Sequence, residues 1–295
     1  MISKFRADLG LLSVTVFWGS TFILSKQVLE VVPLPVFLFL RLTIAALVLN
    51  LYTLKFRKQW NRQILLHGAI LGGLLYLSYF FQMWGIQFTS ASNAGFITGM
   101  SVVLVPVFGF LFFKYKPAVN VVFGIVFAVA GLLLLTGANP MQWNDGDLLV
   151  IVCALAVAFH VIFTGRFAPR NNVYLLTAMQ LGTLAILTML ALSFSDFEWP
   201  QLQISHWWVL VYLGIFGTVY TFLMQTAMQR YTTTARTALI FAMEPVFAAL
   251  FAYLIAGESL TISGWFGGLL IVLGMISAEI EFGNIFVFRK LKKDK

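Results

Sequence analysis

Charge is what this sequence has least of. Only 10% of its 295 residues are Asp, Glu, Lys or Arg, only three are histidine and only one is cysteine, while 60% are hydrophobic. With a mean hydropathy of +0.92, so little charge excludes a soluble domain, whose core could not hide this much apolar surface. The single Cys153 excludes an intrachain disulfide and any multi-cysteine metal site. No P-loop, metal-ligand cluster or nucleophile–base pair stands at usable spacing, so no cofactor, metal or catalytic residue is expected. Proline is scarce too. Six of the eight (Pro33, Pro35, Pro117, Pro140, Pro169, Pro200) punctuate connectors, and only Pro106 and Pro245 fall inside apolar runs.

What remains is apolar sequence in lengths that cross a bilayer, about 20 residues each. Ten spans are expected: Leu9–Leu29, Leu34–Leu54, Ile64–Ile86, Ala94–Phe113, Val119–Gly137, Leu148–Gly165, Val173–Phe194, His206–Met228, Ala235–Ala256 and Ser263–Phe282. Met1–Gly19 has the basic start of a signal peptide. The run from Leu9 to Leu29 is too long for one and lacks a small-x-small cleavage site, so a retained first span is expected.

The net charge of +8 invites a nucleic-acid reading, which position argues against. If the N-terminus is cytoplasmic, 17 of the 19 Lys and Arg residues fall in cytoplasmic segments. The outer connectors hold Glu30, Asp145, Asp147, Asp196, Glu198 and Glu258. The positive-inside bias gives N-in and C-in, with no nucleic-acid partner.

An internal repeat follows. A shift of 139 places Asp8-Leu9 on Asp147-Leu148 and Arg41 on Gln180. A shift of 143 places Thr89-Ser90 on Thr232-Thr233, Gly124 on Gly267 and Gly131 on Gly274. Five spans per copy is an odd number, so the copies enter the membrane from opposite sides. The expected organisation is residues 1–140 as the first five-helix repeat, 141–284 as the inverted second, and 285–295 as a basic cytoplasmic tail.

The motifs in this frame resemble the EamA-type family of the drug/metabolite transporter superfamily. Phe17-Trp18-Gly19-Ser20-Thr21-Phe22 is similar to its opening motif. Thr89–Phe96 leading to Pro106, and Glu244-Pro245-Val246-Phe247 leading to Gly257-Glu258, are similar to its span-four and span-nine signatures. The resemblance covers about Asp8 to Phe282. It implies a ten-helix basket with a central cavity, exporting or exchanging small metabolites such as amino acids. Two departures stand out. His160 lies where many relatives carry tryptophan. Pro106 stands one turn later than Pro245 predicts (245 − 143 = 102), so the two bends are expected at different depths.

Several residues are candidates for function. Glu244 lies mid-span, where a carboxylate defaults to a functional role, here gating, proton coupling or an ion bridge; a structural role beside Pro245 competes. Arg41 either holds a substrate carboxylate or snorkels to headgroups. His160 either lines the cavity or bonds between helices. Trp18, Tyr79 and Tyr220 are candidate aromatic walls, and Gln82 and Gln180 candidate hydrogen-bonding groups or interhelical glue. Arg236 reads as an interfacial anchor or inner gate. Pro106 and Pro245 read as bends that ease rocking. Gly124, Gly131, Gly267 and Gly274 read as packing, between spans five and ten or against a partner chain.

These readings converge on an all-α membrane protein of a bacterial inner membrane. The expected activity is secondary transport, outward or by exchange, of a small organic molecule bound between spans one, two, three, six, seven, eight and nine. A lipid or lipid-linked flippase is the alternative, with a receptor or enzyme less favoured. The expected partners are a small-molecule substrate and membrane lipid. Oligomeric state is left open.

Overall fold

A computed structural model describes residues 3–89, 91–138, 144–195, 197, 199–257 and 261–279, without the side chains of 91–93 and 278–279. The tail 285–295 and the expected positions Ser90, Asn139-Pro140, Asp196, Glu198 and Glu258 lie outside the described residues.

Apolar runs become helices because, in lipid, only the helix satisfies its own backbone polar groups. The described residues form α1 (Lys4–Leu29), α2 (Leu34–Thr53), α3 (Arg62–Ile86), α4 (Ala91–Gly99), α5 (Ser101–Phe113), α6 (Val119–Thr136) and α7 (Asp145–Phe167). They continue with α8 (Val173–Leu192), α9 (Ile204–Gly214), α10 (Thr221–Met228), α11 (Thr234–Phe241), α12 (Glu244–Ala256) and α13 (Ile262–Glu279). No strand occurs among the described residues. Polar caps start the helices where the chain leaves its connectors: Ser3, Asn61, Asn172 and Thr233 each accept a backbone N–H, and Asn144 and Asp147 cap each other reciprocally.

Nine helical segments among the described residues are long and apolar enough to cross a membrane. α13 follows them with a shorter apolar stretch, Ile262–Ser277. Two of the spans are broken. α4 and α5 meet at Met100, and α11 and α12 meet at Ala242-Met243. A third, expected as one helix over His206–Met228, is interrupted between α9 and α10 by a π-helical turn at Ile215–Tyr220.

The expected difference in bend depth is not what the structure shows. α5 and α12 are both 13 residues long and their bounds differ by 143 at each end. The bounds of α6 and α13 differ by 143 as well. Pro106 lies inside the continuous α5, and the break is at Met100, six residues earlier. The error was to put the bend at the proline, whereas the ring disturbs the turn that precedes it.

α6 and α13 pack most closely. A Cβ on Gly124 would stand 2.6 Å from the Gly274 carbonyl oxygen, and one on Gly131 would stand 2.5 Å from that of Gly267. The order of partners is reversed, so the helices run antiparallel. The four glycines therefore hold α6 to α13 within one chain. Val121, Ile125, Ala128 and Leu132 of α6 join Leu239 of α11 and Ile271 of α13 in the core around this seam. A second core joins Leu42, Ala45 and Leu49 of α2 to Ala178, Leu181 and Leu184 of α8. Large apolar side chains such as Leu51, Phe123, Val126 and Ile186 are left on the outside, as a lipid-facing surface requires.

Candidate functional site

The interior is polar where α2 meets the π-turn. Thr218 Oγ1 donates to the Leu213 carbonyl five residues back, the span characteristic of a π-turn. Its lone pairs then accept from Arg41 Nε at 3.1 Å, and Arg41 Nη2 donates to the Gly217 carbonyl at 3.2 Å. Arg41 is thus buried and clamped at one edge of its fork, not snorkelling to headgroups. The π-turn also serves α1. Ser13 and Ser20 donate to the carbonyls of Gly10 and Phe17, which leaves their oxygens to accept from Tyr220 (2.8 Å) and Tyr212 (3.0 Å). The serines are seven residues apart and the tyrosines eight. The extra residue of the π-turn keeps both tyrosines on the face that meets α1.

Across from Arg41 stand Tyr79 and Glu244, each within electrostatic reach of the guanidinium and of the other. Glu244 is the first residue of α12, at the break, and Cys153 of α7 also lies in its field. Among the described residues no hydrogen bond or ion pair reaches its carboxylate. Residues of α2, α3 and α7 thus share the electrostatic environment of Glu244, which is half-buried. Trp18, Tyr79 and Gln82 are half-buried in the same way. Trp18 is edge-on to Phe241 of α11 at 5.0 Å and to Phe222 of α10 at 5.7 Å. Gln82 donates to Thr98 Oγ1 at 3.4 Å, beside Cys153. The structure therefore brings together Trp18, Arg41, Tyr79, Gln82, Glu244 and the neighbouring Pro245.

Four expected residues stand elsewhere. His160 and Gln180 are 3% and 0% exposed, sealed between α7, α8 and α10. Gln180 Oε1 can only accept, so the 3.0 Å contact makes His160 the Nε2–H donor; Gln180 Nε2 donates onward to Thr226. This is interhelical bonding in place of the cavity-lining role. Tyr220 is taken by Ser13, as above. Arg236 lies at the start of α11, where its Nη2 meets Asp8 Oδ2 at 2.6 Å.

Sequence reasoning missed Asp8 as a partner, and with it Thr218, Thr98 and the serine–tyrosine pairs. The Asp8/Asp147 match across the repeat was the available signal for the first. A π-turn leaves no local signature that would have revealed the others.

The two ends of the bundle differ. α5 packs against α11, with Val105, Ala158, Val161, Ile162 and Ala238 forming a closed apolar plug flanked by Phe113 and Phe241. α4 and α12, the other arms of the same broken spans, make no comparable packing among the described residues.

The profile of the EamA-like transporter family matches residues 5–137 and again 144–278. The chain belongs to that family. It is therefore a multi-pass integral membrane protein of a transporter family. It is 32% identical over 282 residues to an uncharacterized transporter from Archaeoglobus fulgidus, covering 95% of this chain and 88% of the relative. It is 26% identical to the uncharacterized transporter YoaV of Bacillus subtilis, with 97% and 99% coverage. It is 23% identical to the uncharacterized inner membrane transporter YicL of Salmonella typhimurium, with 95% and 97% coverage. A protein of known crystal structure shares the fold, with a TM-score of 0.79 at 22% identity, over 92% of this chain and 96% of that one.

Proposed function

We propose that the protein is a secondary transporter that exports or exchanges a small organic metabolite or amino acid by alternating access. The observation that carries this reading is the unequal packing of the broken spans: α5 is closed on α11, while α4 and α12 make no comparable packing among the described residues. Two copies related by inversion give a natural pair of states, in which closing one end opens the other. The inverted repeat, residues 1–140 and 141–284, is supported by the matched bounds of α5/α12 and α6/α13, by the antiparallel glycine seam and by the twofold family match.

The positive-inside bias makes the closed α11 end cytoplasmic, with N-terminus and 285–295 tail inside. A bacterial inner membrane is the proposed location. The substrate sits between Trp18, Arg41, Tyr79, Gln82 and Glu244. A clamped guanidinium facing an unpartnered carboxylate, with aromatic walls, suits a small solute bearing both an acidic and a basic group. Reconstituted vesicles tested with a substrate panel, with and without a pH gradient, should show saturable counterflow for at least one amphoteric solute. Absence of counterflow with every member of the panel refutes the reading.

A further inference from the structure

Asp8 and Asp147 stand near the starts of α1 and α7, 139 residues apart, and Thr89 and Thr232 stand 143 apart. The structure pairs them crosswise. Thr232 Oγ1 donates to Asp8 Oδ1 at 2.9 Å, and Thr89 Oγ1 donates to Asp147 Oδ1. Each aspartate thereby grips the segment leading into the other half's broken span. The grips differ in one respect. At the α11 end Asp8 also takes the Arg236 guanidinium at 2.6 Å, both side chains less than a tenth exposed. The residue 143 positions before Arg236 is Asn93. At the α4 end, Asn144 instead donates to Thr89 at 3.3 Å, a neutral contact.

We infer that Asp8 and Arg236 form a charge lock that biases the transporter towards the state closed at the α11 end. The inference rests on the proposed alternation of the two ends. Opening that end requires α11 to leave α5 and shift against α1, which parts two buried charges. Separating a buried, hydrogen-bonded charge pair costs far more than parting a neutral one. The α11 plug is therefore closed at rest, and bound substrate must favour the other state by the difference.

Two thiol reporters test this in vesicles of defined orientation with a membrane-impermeant reagent. Ala238→Cys, in a Cys153→Ser background, sits in the plug between α5 and α11. Thr98→Cys, in the same background, stands on the half-buried side of α4 and reports the other end. Asp8→Asn and Arg236→Gln should each raise labelling of Ala238→Cys from the α11 side by at least about tenfold and lower labelling of Thr98→Cys. Arg236→Lys, which keeps a cation for Asp8, should leave both reporters near their wild-type labelling. If Asp8→Asn fails to fold, Arg236→Gln and Arg236→Lys decide the matter. Labelling unchanged in Asp8→Asn and Arg236→Gln, while a solute that gives counterflow moves the two reporters oppositely, overturns the lock and leaves alternation standing. Reporters that never change in opposite senses in any variant overturn the alternation on which it rests.

Discussion

The sharpest test of the fold is a single methyl group at the α6–α13 seam. Gly131→Ala places a Cβ 2.5 Å from the Gly267 carbonyl oxygen, 2.7 Å from Ile271 Cγ1 and 3.0 Å from Ile271 N. Ordinary contact begins at 3.4 Å, so the helices must part by 0.9 Å (3.4 − 2.5) at this point. Two of the three obstacles are backbone atoms, which no rotamer change can move. Ile271 and Leu132 are 0% exposed, so parting also loosens the core on either side. Overpacking of this kind costs about 1–3 kcal/mol. Replacing a mid-helix glycine by alanine also gains roughly 1 kcal/mol of helix propensity, which obscures the result for one variant alone.

Gly73→Ala removes that ambiguity. Gly73 lies mid-helix in α3 with nothing within 4 Å of its would-be Cβ, so the substitution takes the propensity gain without the collision. The stability difference between Gly73→Ala and Gly131→Ala isolates the seam. Cys153, 1% exposed, supplies the assay, since a thiol-reactive fluorophore labels it as the bundle melts. Gly131→Ala should melt well below Gly73→Ala. Gly131→Ala with Gly267→Ala should cost less than the sum of the two, because the helices have already parted at that contact. Equal melting of Gly73→Ala and Gly131→Ala would refute the seam.

Three further substitutions separate structural from transport roles. His160→Leu leaves Gln180 Oε1 without its donor and should lower stability by about 1–3 kcal/mol while the pH profile of counterflow stays unchanged. A shifted profile would return His160 to the transport path. Arg41→Lys cannot keep both the Thr218 and Gly217 bonds, so turnover should fall about tenfold or more, with stability much less affected; wild-type turnover would show that the fork geometry is irrelevant. Glu244→Gln should flatten the pH dependence of transport, and an unaltered dependence would remove Glu244 from proton coupling.

The glycine seam and the two broken spans were legible in the sequence because they depend on residue type and spacing. Gly124, Gly131, Gly267 and Gly274 announced themselves at a fixed shift, while the choice between each other and a partner chain, open in the sequence, is made by the contacts of Gly124 with Gly274 and of Gly131 with Gly267. The interior was half legible. Trp18, Arg41, Tyr79 and Glu244 stand out as aromatic or charged residues at membrane depth. Whether each one faces the space or another helix depends on helix rotation, which a uniformly apolar span does not encode. His160 and Gln180 show the consequence. Their chemistry suits a binding site, but both are buried and bonded to each other. The π-turn was illegible for a related reason: beside the local bonds of Thr218 and Thr221 it is held by Arg41, 177 residues away.

The prolines explain how the two breaks coincide although the rings do not. A proline removes its own N–H and crowds the carbonyl four residues earlier. Pro106 therefore acts at Val102, two residues after the break at Met100, and Pro245 acts at Phe241, two residues before Met243. In the 143-residue register the two disturbances flank the same point from opposite sides. Each weakens one arm of its span at the junction, which on the proposed alternation lets the arms swing without melting. Pro106→Ala and Pro245→Ala should each restore one backbone hydrogen bond, worth roughly 1 kcal/mol, and so raise the melting temperature. Each should also slow turnover, because the junction that must flex has been stiffened. Substrate affinity should change least in Pro106→Ala, whose site is further from Glu244. Higher stability with undiminished turnover would show that the breaks are fixed bends, and that the motion between states takes place elsewhere.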